Sequence, residues 1–195
     1  MSAVDHIFSF LCNQDVSRSF IIDGHVLPLC QRCTGVYMGM SISFLYLLVS
    51  RYYRKGLPPR SVIYTNIASL LIMPIFGFHL LDPGAAWRLW SGLIFGNAIA
   101  FLLLPAVVII CSKGKVFGHH TKVSTSWSFV FLVFLNTIPL WFPVQSSYFY
   151  YTILILAFAG PVCVLFCAGA VMGFLIRKAT ALFILKGFGN ECARN

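Results

Sequence analysis

Charged side chains are scarce in this chain of 195 residues, where they make up 10% of the total. A soluble globular protein carries about 25%. Only five residues are acidic, while hydrophobic residues make up 59% and the mean hydropathy is +0.86. This balance excludes an ordinary soluble domain and predicts an all-α integral membrane protein, because helices satisfy their own backbone hydrogen bonds in lipid.

Several features that would identify an enzyme or a secreted protein are also absent. The sequence contains no P-loop, no serine-nucleophile motif and no HExxH zinc motif. Residues 1–11 hold no Lys or Arg, so we predict no secretory signal peptide and expect the first span to act as the insertion signal. No internal repeat or second domain is visible. The sequence assigns no enzyme class.

Apolar segments long enough to cross the hydrocarbon core, which takes about 20 residues, recur along the chain. We predict a bundle of about five transmembrane helices over 34–176, with spans near 34–50, 61–81, 89–111, 124–142 and 146–176. Gly160-Pro161 interrupts the last span, where a tilt or kink is expected rather than two spans. Residues 1–33 then form a thiol-rich segment outside the membrane, and 177–195 form a tail.

Basic residues are distributed unequally between the two sides of this predicted bundle. With the N-terminus outside, eleven of the 14 Lys and Arg residues fall in the inner loops and tail, and only Arg18, Arg32 and Arg88 fall outside. Cytoplasmic loops carry the excess of Lys and Arg, so we predict an extracytoplasmic N-terminus and a cytoplasmic C-terminus. The net charge of +9 therefore sets topology and attracts anionic lipid. We expect the lipid bilayer as a partner and no nucleic acid.

Three cysteines lie in the polar stretch before the first span. Cys30 and Cys33 form a CxxC pair, and Cys12 lies upstream at a spacing that lets the chain fold back. A helix start lowers the pKa of a nearby thiol, and we expect Cys33 or Thr34 to cap that helix. Arginines of the same stretch would stabilise thiolates further. The arrangement suits metal ligation or thiol exchange, since both need the anionic sulfur.

Zinc prefers a tetrahedral site, so three thiolates need one more ligand. The candidates are His25, His79 and Asp82. Two other interpretations of the cysteines stay open, namely redox-active thiols and a structural disulfide with a spare thiol. Metal binding is the leading interpretation.

A second polar segment is expected on the same side of the membrane. Asp82-Pro83-Gly84 predicts a turn between the second and third spans, and Asp82 and Arg88 bracket it. These two residues could pair across the turn or contact the cysteine segment. The plainer alternative is a short loop with interfacial Trp anchors. If the protein catalyses a reaction, the candidate residues are Arg18, Arg32, Asp82 and Arg88.

Three functions are compatible with these segments. In the first, a metal such as zinc holds the N-terminal segment over the bundle, and the arginines offset its charge or bind an anionic lipid headgroup or phosphate. In the second, a thiol-disulfide oxidoreductase passes electrons from a periplasmic thiol protein to a quinone. The third is a structural or accessory membrane subunit. No acidic residue lies at mid-membrane, so neither a channel nor a transporter is predicted.

Two patterns inside the predicted spans concern packing. Gly92 and Gly96 form a small-xxx-small pattern, which lets helices approach closely. Polar amides within spans usually form hydrogen bonds between helices, as we expect of Asn66, Asn97 and Asn136.

The two polar segments resemble a prokaryotic membrane family known as domain of unknown function 2085. Its members carry Cys-His-Gln, Arg-Ser-Phe and Leu-Pro-Leu-Cys-x-Arg-Cys-Thr-Gly-x-Tyr-x-Gly runs, then an Asp-Gly turn followed by Arg. The matching residues of this chain are Cys12, Gln14, Arg18, Ser19, Phe20, Gly24, Leu27, Pro28, Leu29, Cys30, Arg32, Cys33, Thr34, Gly35, Tyr37, Gly39, Asp82, Arg88, Ser91, Gly92 and Gly96.

This resemblance covers roughly the first half of the chain. It implies a protein of the prokaryotic cytoplasmic (inner) membrane and implies no activity. One position departs from the family pattern, because Asn13 stands where the family has His. Asn is not a usual zinc ligand. If the relatives use that His as a ligand, this chain must use another ligand or have lost the site.

Overall fold

A computed structural model describes residues 6, 8–10, 12–51, 58–77, 84–111, 134 and 147–192. Its long helices are α1 (Gln31–Val49), α2 (Arg60–Gly77), α3 (Ala85–Cys111) and α4 (Ser147–Cys192). A short 3-10 turn, Val16–Arg18, and an antiparallel hairpin of β1 (Ser19–Ile22) and β2 (His25–Cys30) precede them.

The described part of the chain is mostly helical, as expected. Three of its helices are long and apolar enough to cross a membrane, namely Gln31–Val49, Ala85–Cys111 and Tyr148–Lys178, and α2 contributes a shorter apolar stretch, Arg60–Ile75. The predicted number of about five is not supported, because four long helices are found in the described ranges. The span predicted near 124–142 lies outside them.

The last helix is longer than the predicted span. It continues through Pro161 and runs to Cys192, so the predicted tail 177–195 begins inside it. The physical reason is local, because residues 179–186 contain neither Pro nor Gly to end a helix.

Four glycines let α1 and α3 pack with their backbones in contact. A Cβ atom added at Gly35 or Gly39 would collide with the α3 backbone, and one added at Gly92 or Gly96 would collide with the α1 backbone. The contacts follow the same order along both helices, so α1 and α3 run parallel. The close approach predicted for Gly92 and Gly96 is confirmed, and α1 supplies the partner pair.

Two asparagines predicted to form hydrogen bonds between helices differ in what they do. Asn97 accepts a hydrogen bond from the Ser43 hydroxyl across the α1–α3 interface, as expected. Asn66 is buried but donates to the Val62 carbonyl of its own helix, 2.7 Å away, so this expectation is wrong. Asn136 lies outside the described residues.

The main apolar core lies between α1, α3 and α4. Phe44, Leu47 and Phe101 are buried in it, and Cys167 of α4 packs against them. Near the other end of the bundle, Ile153 of α4 packs with residues of the hairpin and of α1. The helix α4 therefore runs in the same direction as α1.

The hairpin closes one end of this bundle. Asp23 and Gly24 have φ values of 52° and 76°, as a two-residue type I′ turn requires, and Ile22 pairs with His25 across it. Ile22 and Leu27 are buried against the helices. The sequence analysis missed this hairpin, although Asp-Gly between two apolar runs is its usual signal.

The first helix begins earlier than predicted. Pro28 favours extended backbone in β2, and Cys30 keeps an extended conformation with φ −67° and ψ 156° as the N-cap of α1. The prediction that Cys33 or Thr34 would be the cap is therefore wrong. As a result, Cys33 lies inside the first turn of the helix.

Candidate metal centre

Three separate elements bring one cysteine each to the hairpin end of the bundle. Cys12 precedes the 3-10 turn, Cys30 ends β2 and Cys33 lies in the first turn of α1. Their sulfur atoms lie within 4.8 Å of one another, and all three are partly buried free thiols. We call these residues the sulfur cluster.

An apolar anchor fixes the position of Cys12. Phe8 is 2% exposed and packs with Leu29 and Ala157, and its ring meets the edge of Phe158 with centroids 6.3 Å apart. The Cys12 amide then donates a hydrogen bond to the Phe8 carbonyl, with N···O 3.0 Å. Burial of one phenylalanine thus holds a thiol that is remote in sequence against the start of α1.

Hydrogen bonds converge on the sulfur of Cys12. Those from the thiols of Cys30 and Cys33 lower its pKa to about 2, and the backbone amide of Cys30 donates to the same sulfur with N···S 3.3 Å. Cys12 is therefore a thiolate at neutral pH before any metal binds.

The start of α1 adds a further positive potential. Cys30 is the N-cap but forms no side-chain cap hydrogen bond, so its side chain satisfies none of the first amides of the helix. Unpaired amides at a helix start carry partial positive charge and favour thiolates nearby. Cys33 lies within this first turn, and Cys30 directly precedes it.

The spacing of the sulfurs suits a tetrahedral ion. Zinc bound to three thiolates at about 2.3 Å separates their sulfurs by about 3.8 Å. The sulfur cluster needs only small side-chain shifts to reach this geometry from separations of up to 4.8 Å. Soft thiolate ligands favour zinc and other thiophilic ions over magnesium or calcium.

Of the three candidate fourth ligands, His25 belongs to the described residues, and it does not lie at the sulfur cluster. His25 is exposed at the far end of β2, with its ring 5.7 Å from that of Tyr150. A strand rises about 3.3 Å per residue, which places His25 roughly 16 Å from Cys30 along β2. His79 and Asp82 lie outside the described residues.

Two of the candidate arginines lie near the cluster and have polar contacts. Arg18 Nε lies 3.4 Å from Asp15 Oδ2, and Arg88 Nη1 donates to Gln31 Oε1 at 3.3 Å, beside the start of α1. Hydrogen bonds from the Ser17 hydroxyl and amide lower the pKa of Asp15, and the charges of Arg18 and Arg88 add to this effect. The second polar segment therefore contacts the cysteine segment through Arg88.

Arg32 lies between the two α1 cysteines and is partly buried. Its backbone carbonyl is the atom that approaches Gly92 of α3. The glycine packing of α1 on α3 thus begins within the turn that holds Cys33.

Two hydroxyl groups beside the cluster received no site role from the sequence. Tyr37 packs against the same buried residues as Cys12 and Cys33, and Thr34 is 1% exposed. The available signal was spacing, because Thr34 and Tyr37 each follow a cysteine of the CxxC pair by four residues, which is one helical turn.

A family model described as "Predicted membrane protein (DUF2085)" matches residues 12–102. An uncharacterized protein of Methanothermobacter thermautotrophicus is 32% identical over 102 residues, which are 49% of this chain and 86% of the relative. An uncharacterized protein of Methanocaldococcus jannaschii is 28% identical over 104 residues, which are 51% of this chain and 65% of the relative. No solved structure matches. The matched range contains the whole sulfur cluster but not α4.

Proposed function

The chain belongs to the DUF2085 family of predicted membrane proteins, and from this premise we propose that it binds a zinc ion at the membrane surface through Cys12, Cys30 and Cys33. The observation that carries the proposal is the gathering of three sulfurs from three elements within 4.8 Å. Their odd number also favours a shared ion, because a disulfide would leave one thiol over.

The surrounding charges support this assignment. Three thiolates on Zn²⁺ leave one net negative charge. Arg88 contacts Gln31, which adjoins Cys30, and Arg18 lies in the turn before β1. These two cations lie on segments next to the cluster, where they would offset part of that negative charge or suit an anionic lipid headgroup at the same surface.

We propose that the ion has a structural role. It would join the N-terminal segment, the hairpin and α1 at one point, and so hold the hairpin over the end of the bundle. The free energy of metal binding adds to the stability of the elements that supply the ligands.

His79 or Asp82 is the proposed fourth ligand. Both residues belong to the connection between α2, which ends at Gly77, and α3, which begins at Ala85. The contact between Arg88 and Gln31 supports this choice, since α3 starts at the end of the bundle where the sulfur cluster lies. Replacing the true ligand by Ala would weaken zinc binding, while replacing the other would not.

The proposed location is the prokaryotic inner membrane, with the sulfur cluster on the extracytoplasmic side. The support is the distribution of charge, since Arg18, Arg32 and Arg88 are the only basic residues assigned to that side. Reporter fusions at residue 1 and at the C-terminus test this orientation. A cytoplasmic residue 1 would contradict it.

Elemental analysis of detergent-purified protein tests the metal site. We expect about one zinc per chain in the wild type and in the control Cys163→Ser, whose thiol lies in α4 away from the cluster. Cys30→Ser should lose most of it. Negligible zinc in all three proteins would contradict the proposal. Alkylation trapping in cells that showed a quinone-dependent disulfide among the three cysteines would instead favour the oxidoreductase.

A further inference from the structure

Cys30, the N-cap of α1, and Cys33, in its first turn, are each followed four residues later by a side chain that carries a hydroxyl. These side chains are Thr34 and Tyr37. Cys33 and Tyr37 lie on the same face of α1, and helical side chains lean toward the N-terminus of their helix. Both hydroxyl-bearing side chains therefore lean toward the turn that carries the sulfurs.

The hydroxyl of Thr34 differs from several other helical hydroxyls of the chain. Thr65 and Ser69 of α2 and Ser41 of α1 each donate to the carbonyl four residues earlier, at 2.8–2.9 Å. Thr34 makes no such bond, and its Oγ1 is buried with no hydrogen-bond partner in the described structure. Burying a hydroxyl without a hydrogen-bond partner costs free energy. Such a hydroxyl indicates a site where a bound ion or ligand supplies the partner.

Tyr37 reaches the cluster from the membrane side. Its side chain is partly buried and, like those of Cys12 and Cys33, packs against the buried cluster of Phe8, Leu29 and Ala157. One helical turn rises about 5.4 Å, a distance that a tyrosine side chain spans. Tyr37 thus places a polar group beside the sulfurs within an otherwise apolar wall.

We propose that Thr34 and Tyr37 are positioning residues of the metal site, and that their hydroxyls donate hydrogen bonds to the metal-bound sulfurs of Cys30 and Cys33. This inference rests on the proposed zinc site. Hydrogen bonds from a second layer of residues orient metal ligands and tune their charge. They make a bound thiolate a weaker nucleophile and a weaker electron donor to the metal.

Two nearly isosteric substitutions, Thr34→Val and Tyr37→Phe, remove the hydroxyls and keep the volumes. We expect Thr34→Val to weaken zinc affinity about tenfold in a chelator competition, because Thr34 Oγ1 gains its partner only in the bound state. Tyr37→Phe should weaken it by a similar factor, because it removes a proposed donor to a bound sulfur. Thr34→Ser keeps a hydroxyl at this position and should bind zinc with wild-type affinity. The matched controls are Thr65→Val, whose hydroxyl bonds within α2, and Tyr46→Phe, whose ring stacks on Phe101. Neither control should change affinity.

A spectroscopic measurement separates hydrogen bonding to sulfur from a merely structural effect. With Co²⁺ in place of zinc, the sulfur-to-cobalt charge-transfer band should move to lower energy in Thr34→Val and Tyr37→Phe, because an unbonded thiolate gives up charge more easily. Iodoacetamide should also alkylate the bound cysteines several-fold faster in both variants than in the two controls.

The outcomes distinguish this inference from the metal site itself. In one outcome, the wild type binds zinc while the sulfur-to-cobalt band stays unmoved in both Thr34→Val and Tyr37→Phe. That result overturns the positioning role and leaves the metal site intact. A wild type that binds neither zinc nor cobalt overturns both. If Thr34→Val does not fold, Thr34→Ser and Tyr37→Phe carry the comparison, and Tyr37→Phe with wild-type affinity and spectrum overturns the inference.

Discussion

The middle of α1 and its first turn are held in different ways. In the middle, Gly39 of α1 and Gly96 of α3 have no Cβ atom, so the two backbones come into contact. This contact depends only on the small size of the two residues. At the first turn, Cys33 meets Cys30, which ends a two-stranded hairpin that is marginal by itself, and Cys12, which the burial of Phe8 holds there. The comparison teaches that the helix crossing is complete without a ligand, whereas the proposed metal site would depend on the protonation of its thiols and on the bound ion.

The largest effect is expected from breaking the helix crossing. Gly96→Val would push Cβ into the Val36 carbonyl of α1, and backbone cannot move aside as a flexible side chain does. We expect the free energy of unfolding to fall by at least the upper end of the ~1–3 kcal/mol typical of overpacking, and little folded protein to be recovered in detergent. Thermal unfolding of the purified variants measures this.

Gly169→Val is the matched control for that substitution. Gly169 lies in α4, and an added Cβ there has nothing within 4 Å. This variant should unfold like the wild type. Equal losses at Gly96 and Gly169 would contradict the packing of α1 on α3.

The second prediction concerns protons at the sulfur cluster. Because the lowered pKa of Cys12 lies near 2, this thiol is already ionised throughout the neutral range. Zinc binding therefore displaces no proton from Cys12, and near neutrality it should release fewer than three protons. Zinc affinity should accordingly fall by less than about 1,000-fold for each unit by which pH drops.

Calorimetry in buffers of different ionisation enthalpy counts those protons directly. Cys163→Ser should release the same number as the wild type, because its thiol lies outside the cluster. Release of three protons would show that Cys12 is protonated in the metal-free protein, and would contradict the hydrogen-bond pattern at its sulfur.

The third prediction separates the two regions by metal removal. A chelator, or Cys12→Ser, should release the N-terminal segment and speed tryptic cleavage after Arg18 about tenfold, because binding free energy stabilises the elements that supply ligands. Cleavage after Arg177, exposed in α4, should not change. Mass spectrometry of timed digests gives both rates. Equal acceleration at the two sites would mean that the ion stabilises the whole bundle, contrary to the proposed local role.

The sequence predicted the helix crossing better than the end of the bundle. Apolar length alone located α1, α3 and α4, and the spacing of Gly92 and Gly96 indicated close packing. The sequence did not show which face of each helix packs on its neighbour, because the lipid-facing and protein-facing sides of a membrane helix are both apolar. The periodic signal used for soluble helices is therefore absent.

The site was only partly predictable for a different reason. Cysteine spacing allowed Cys12 to approach the CxxC pair but did not require it, since the approach depends on Phe8 packing against Leu29 and Ala157. The early start of α1 was missed because hydropathy reports the apolar part of a helix and not its cap. Asn66 shows the same limit, since composition cannot tell whether a buried amide bonds to its own helix or to a neighbour.

The smallest effect is expected from the hydrogen bond between the side chains of Ser43 and Asn97, which links α1 and α3 in the middle of the bundle. Ser43→Ala removes the donor to Asn97, which is 1% exposed. We expect the free energy of unfolding to fall by only about 0.6 kcal/mol, because the polar groups also find hydrogen-bond partners when the two helices are apart in the membrane. Ser50→Ala, which removes an exposed hydroxyl bonded to the Tyr46 carbonyl, is the control and should change less. A loss comparable to that of Gly96→Val would mean that this hydrogen bond, rather than the fit of the glycines, holds α1 against α3.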